Sequence, residues 1–319
     1  MKNTHGFCIV RRMKQEVSWK LSVALAVCVF ILLVCVFSAW KAALSQREAP
    51  EHDADGISVV ATVYPLYVSL LNITQGTPAR PSLLTPAGTG CVHDWQLTTG
   101  DMKRLEAADL VIASGEGMEG FLDKLLTMKG DALVAVCEGW PHREVGNPHI
   151  WLSPDGAAWQ AARIAEALSN IDSTNSQLYM SNCGSYTARL EELGQQMRGQ
   201  LAPYRGRKVA LFHEAFVYLA GEAALDVTLT ITEEELSSPT PKRISEVSSL
   251  LRDAQGRGDE VVCFADTTSS ATVKAIEQEA EAHVWQLDTC TTGELVPSSY
   301  ISAMEANIRI MQAAFGGGR

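Results

Sequence analysis

Beyond residue 56 the apolar positions of this chain switch repeatedly between two periods. Short β-branched or aliphatic runs of strand length at 57–63, 81–84, 109–114 and 132–137 alternate with stretches whose apolar residues recur at helical spacing. The second half repeats this grammar, with strand runs at 209–212, 227–231, 261–265 and 284–287 and helical patterns at 215–224, 241–254, 271–282 and 297–315. Between the halves, helical patterns at 154–171 and 176–202 follow each other directly. In the second of these, Tyr179, Cys183, Tyr186, Leu190, Leu193, Met197 and Leu201 fall on one stripe, and at 1.5 Å per residue the helix spans about 40 Å. Strands separated by crossover helices predict parallel sheets covered on both faces. The expected fold is α/β: two similar lobes, each a parallel sheet flanked by helices, joined by one long backbone helix, with the ligand site in the cleft between lobes. The expected boundaries are a signal or membrane-anchor segment at 1–47, a linker at 48–56, an N-terminal lobe at 57–174, the connecting helix at 175–203 and a C-terminal lobe at 204–319.

The stretch Gly146-Asn147-Pro148-His149-Ile150-Trp151-Leu152-Ser153-Pro154 holds one histidine between two stiff flanks. Pro148 fixes its own φ and pushes Asn147 into an extended conformation. Ser153, Pro154 and Asp155 read as a helix start, with Ser as N-cap, Pro at the first helical position and a carboxylate in the first turn. A core histidine needs no such mount, so His149 is a candidate for function.

Composition narrows the function classes. With 319 residues, 46% of them hydrophobic and 20% charged, the chain is globular and has room for about two domains. At its start, Lys2, Arg11, Arg12, Lys14 and Lys20 precede an apolar run at 21–40 that is long enough to span a bilayer. A basic N-terminal flank keeps that end in the cytoplasm. The rest is therefore expected outside the cytoplasm, attached to the membrane by this segment or released by cleavage. Leu32-Leu33-Val34-Cys35 resembles a lipoprotein box, with Val34 bulkier than the usual small residue. Beyond position 47 there are 19 basic against 36 acidic residues, a balance that repels nucleic acid and attracts cations. Cys91, Cys137, Cys183, Cys263 and Cys290 show no CxxC spacing, which removes zinc-knuckle and thioredoxin-like readings; they are expected as small core residues, with room for one disulfide whose pair the sequence does not choose.

In open α/β sheets the ligand crevice lies at the carboxyl ends of the strands. His93, His149, His213 and Asp288 all follow predicted strands, two in each lobe, whereas His283 opens its strand and is expected at the surface. Three imidazoles and a carboxylate make a nitrogen and oxygen set of the kind zinc takes. Asp266, His142 and Cys91 are possible secondary ligands: Asp266 ends a strand, His142 precedes His149 in the same loop, and Cys91 is close to His93. Glu214 follows His213, but no second histidine stands four positions on from the first, so the HExxH metalloprotease pattern is absent. From the residues alone two readings stand: a metal-capturing receptor using all four ligands, and a zinc hydrolase in which Asp288 serves as general base instead.

The motifs Val92-His93-Asp94-Trp95 with 101–110, Asn147 to Pro154, Phe212-His213-Glu214-Ala215-Phe216, Phe264-Ala265-Asp266 and Leu287-Asp288 resemble, in that order, the zinc and manganese solute-binding proteins of bacterial ABC importers. The resemblance covers about 57–315. It implies a bilobed receptor that takes up a divalent cation outside the cytoplasmic membrane and hands it to an ABC permease and, through it, an ATPase. It also implies His93, His149, His213 and Asp288 as ligands. Imidazole at position 213, where manganese-preferring members tend to carry glutamate, favours Zn2+ over Mn2+. Two departures stand out: Val92 occupies a position where proline is usual, and the histidine-rich insertion of many zinc members is absent between Met118 and His149.

Overall fold

The computed structural model describes residues 56–86, 95–232, 240–267 and 271–316. The predicted anchor segment and most of the linker lie outside these residues, as do Cys91 and His93. Among the described residues no helix is long and apolar enough to cross a membrane.

The first apolar runs form β1 (Ser58–Ala61), β2 (Arg80–Leu83), β3 (Leu110–Ala113) and β4 (Leu133–Ala135), all parallel, in the order β2-β1-β3-β4. Their crossovers carry α1 (Tyr64–Ile73), α2 (Thr99–Ala107) and α3 (Leu122–Lys129). Local chemistry sets the starts. Pro65 sits in the first turn of α1, where its missing N–H leaves no bond unmade. Thr98 and Asp101 close a reciprocal capping box on α2. α3 starts only at Leu122, and Glu119 in the segment before it is taken by the loop contacts described below.

The second lobe repeats the plan with β5 (Lys208–Leu211), β6 (Asp226–Thr230), β7 (Val261–Asp266) and β8 (Val284–Leu287) in the order β6-β5-β7-β8, again all parallel. Between the lobes run α4 (Pro154–Ile171) and α5 (Ser176–Leu201). In the second lobe follow α6 (Phe216–Glu222), α7 (Pro241–Gly256), α8 (Ala271–Ala280) and α9 (Ser299–Phe315). The stripe read from the sequence, Tyr179 through Leu201, is the buried face of α5.

The core explains why this helix can brace both lobes. One continuous apolar cluster takes in β1 and β3 residues from the first sheet, β5 and β7 residues from the second, and the buried faces of α1, α4, α5 and α9. Each sheet packs its other face on a separate cluster, Val111, Leu105 and Leu125 in the first lobe and Cys263, Leu251 and Ile276 in the second. Every sheet is thus covered on both faces, as parallel strands with helical crossovers require. The cysteines among the described residues, Cys137, Cys183, Cys263 and Cys290, are buried free thiols.

Candidate metal centre

In the strand order 2-1-3-4 the chain turns to opposite sides of β1, so a crevice opens at the carboxyl ends of β1 and β3; the matching crevice in the second lobe lies at β5 and β7. His213 stands just past β5 and Asp266 ends β7 at that second switch point, while Asp288 directly follows the neighbouring β8, whose Leu287 pairs with Asp266. The Asp288 main chain is pinned on both sides by one side chain. Its N–H donates to Asn307 Oδ1 (2.8 Å) and its carbonyl accepts from Asn307 Nδ2 (2.8 Å). The carboxylate accepts from the Cys290 N–H at 2.7 Å, a turn that places Cys290 at φ 57°. Burial pushes the Asp288 pKa above the ordinary carboxylate range; the Cys290 N–H opposes this and the Asp266 charge adds to it. A cation at this place would relieve both causes.

His149 reaches the same region from the first lobe along a different route. Ser153 caps α4 by accepting from the Gly156 N–H (3.1 Å), with Pro154 at the first position and Asp155 in the first turn, as the motif predicts. The residues between them form a short 3-10 turn, Ile150–Leu152, that begins at His149. Gly156 makes room for it: a Cβ there would lie 2.1 Å from the Ile150 carbonyl oxygen. From the first lobe, Ser114 Oγ (3.2 Å) and Cys137 Sγ (3.4 Å) both donate to the Pro148 carbonyl. Burial pushes the Cys137 thiol up to about 12, so it stays protonated in this role.

The second lobe holds the same stretch from the other side. Asn147 Nδ2 donates to the Glu214 carbonyl (2.9 Å), and Tyr218 Oη donates to the Asn147 carbonyl (2.9 Å) while accepting from the Glu144 N–H (2.8 Å). Trp151 Nε1 donates to the Thr289 carbonyl (2.9 Å), next to Asp288, and Ser153 Oγ donates to Glu222 Oε1 (2.6 Å). The result is that His149 and His213, 0% and 1% exposed, meet edge to face with ring centroids 5.2 Å apart. Two buried imidazoles from different lobes at this separation can converge on one ion, each offering a nitrogen lone pair.

Among the described residues no three His, Cys, Asp or Glu side chains gather closely enough to hold a metal. The remaining predicted ligand, His93, and Cys91 lie outside the described residues. Asp266 is half-buried at its strand end beside Asp288. His142 stands on an exposed loop against the Trp140 ring, in a groove also lined by Glu144, Asp155 and Tyr218. His283 is exposed near Glu277, as expected of a surface position.

Sequence reasoning missed the polar side chains that hold this site. Asn147 carried a signal as the residue before a proline and as the start of the stretch Asn147 to Pro154, with no role for its amide. Tyr218 looked like an apolar position of the helical pattern at 215–224, and Trp151 like an apolar residue of the stretch between His149 and the Ser153 cap. Glu119, six residues past the end of β3, carried no such signal. It fills the switch point of the first lobe: Oε1 accepts from Thr62 Oγ1 (2.6 Å) and the Ser114 N–H (2.8 Å), and Oε2 from the Gly115 N–H (2.9 Å). Burial raises its pKa, against the pull of those donors.

Known proteins resemble this chain in sequence and fold. The zinc-binding protein AdcA of Streptococcus pyogenes serotype M3 is 25% identical over 317 residues, covering 88% of this chain and 59% of AdcA. The iron-binding protein YfeA of Yersinia pestis is 25% identical over 291 residues, covering 86% of this chain and 91% of YfeA. The solved structure of the SBP FpvC of Pseudomonas aeruginosa, in complex with Ni2+, aligns with a TM-score of 0.74 at 25% identity, covering 83% of this chain and 99% of that one. The chain spans 59% of the length of AdcA. Residues 59–314 match the family model of the zinc-uptake complex component A, periplasmic, and the chain belongs to that family.

Proposed function

We propose that this chain is an extracytoplasmic receptor that captures one divalent cation, Zn2+, and delivers it to an ABC permease for import driven by that permease's ATPase. His93, His149, His213 and Asp288 are its ligands, and the lobes at 57–174 and 204–319, joined by the helix at 175–203, bring them together. The observation that carries the reading is the meeting of His149 and His213, one from each lobe, with ring centroids 5.2 Å apart in a buried position. Asp288 supports it, being a half-buried carboxyl whose pKa is raised by burial and further by the Asp266 charge. Asp266, His142 and Cys91 remain secondary candidates. The N-terminal segment, by its basic flank and apolar run, attaches the receptor to the membrane or is cleaved to release it.

Zinc is preferred over manganese because imidazole donors suit zinc, and the family description and the name of AdcA point the same way. A hydrolase would need an open coordination position and a free general base. Membership in an uptake family supports tight stoichiometric binding without turnover instead. Metal analysis and titration calorimetry on the purified chain test the proposal. About one zinc per chain is expected, with zinc outcompeting manganese at equal free concentration. Unchanged affinity after loss of both His149 and His213 would place the site elsewhere.

A further inference from the structure

We propose that Asn147 is a positioning residue that fixes the tautomer of His149 and does so through the opposite lobe. This inference rests on the reading of His149 as a metal ligand. The Glu214 carbonyl can only accept, so the Asn147 side-chain atom 2.9 Å from it is the NH2 group. The amide oxygen is therefore the atom 3.0 Å from His149 Nδ1, and an amide oxygen also only accepts. Nδ1 must then carry the proton. The His149 N–H points at the same oxygen from 3.3 Å, which agrees with that orientation and closes a small ring around the imidazole. With Nδ1 protonated, Nε2 is left with its lone pair, the form a cation needs.

The consequence concerns the two lobes together. Glu214 follows His213, so the carbonyl that orients the Asn147 amide belongs to the segment that carries the other histidine. Tyr218 clamps the Asn147 main chain from that lobe as well, leaving the side chain little freedom to turn. One amide thus couples the placement of the second lobe to the availability of a lone pair in the first. Asn147 is itself 5% exposed, so water does not compete freely for either bond.

The test is a nitrogen-detected NMR measurement of the histidine tautomers in metal-free chain at neutral to mildly alkaline pH, with the His149 signal identified by its loss in His149→Ala. Wild-type His149 is expected to be protonated on Nδ1; protonation on Nε2 overturns the inference whatever the variants do. Asn147→Ala should shift the population toward the Nε2-protonated form that free imidazole side chains favour, and weaken zinc binding by about 10- to 100-fold in a chelator competition. Asn147→Asp keeps an acceptor at Nδ1 and should retain the wild-type tautomer. Tyr218→Phe removes an interlobe bond but not the amide, and should also retain it. An unaltered tautomer in Asn147→Ala, or an equal shift in Tyr218→Phe, overturns the assignment. The underlying metal-site reading fails separately, if His149→Ala binds zinc as tightly as wild type.

Discussion

Both lobes carry the same strand order, yet they fill its switch point with opposite chemistry. In the first lobe the crevice between β1 and β3 is closed by Glu119, whose carboxylate is consumed by Thr62, Ser114 and Gly115. In the second the equivalent crevice holds His213 and Asp266. A carboxylate with three short donors is a structural anchor, since its lone pairs are already engaged. The first lobe therefore presents His149 from a loop past β4, propped by Ser114 and Cys137, while the second presents its groups straight from strand ends. One plan thus carries a self-satisfied carboxylate at one switch point and a buried histidine with an aspartate at the other.

That contrast can be broken at either side. The largest effect is expected from His213→Ala, which should weaken zinc binding on the order of a thousandfold, about 4 kcal/mol, while leaving denaturant stability of the metal-free chain near wild type. Glu119→Ala should do the reverse. It strips buried Thr62, Ser114 and Gly115 donors of their acceptor, and a loss of about 3 kcal/mol in urea unfolding is expected, with zinc affinity affected only through the looser loop.

The pH dependence sharpens the same point. Because burial raises the Glu119 pKa in the folded state, the fold binds that proton more tightly than the unfolded chain does. Stability should fall as pH rises from the ordinary carboxylate value through the raised one. Glu119→Gln should remove this slope, although its amide NH2 faces a donor and lowers stability throughout. A slope that persists in that variant would assign the effect to another group.

Smaller changes probe the His149 mount. Gly156→Ala drives a Cβ into the Ile150 carbonyl and should cost about 1 to 3 kcal/mol in thermal or urea unfolding, with a measurable loss of zinc affinity. Arg198→Ala removes an ion pair with Glu222 (2.8 Å) and a longer approach to Asp155 (3.9 Å) at a half-exposed site. Less than about 1 kcal/mol is expected there, with zinc binding unchanged.

How much of this was legible beforehand follows from which forces are local. Helix starts at Ser153 and Pro241 were readable because a cap or a proline acts within one turn of its own position. The buried stripe of α5 was readable because its seven apolar positions follow one another at helical spacing through six successive steps. The strand-end rule located His213 and Asp288 because a parallel strand points its carboxyl end to one side of the sheet.

What sequence alone determined, then, was the kind and order of elements, the sharing of a long helix between two α/β lobes, and the candidate donors. What only the tertiary structure decided was how those donors are held. Asn147 to Glu214, Tyr218 to Asn147 and Trp151 to Thr289 join residues 67, 71 and 138 positions apart. No local propensity or periodicity encodes such pairs, because each forms only after both lobes have folded onto the shared core and removed competing water. The sequence named the histidines; the packing of one lobe against the other set which nitrogen of His149 faces the Asn147 amide oxygen.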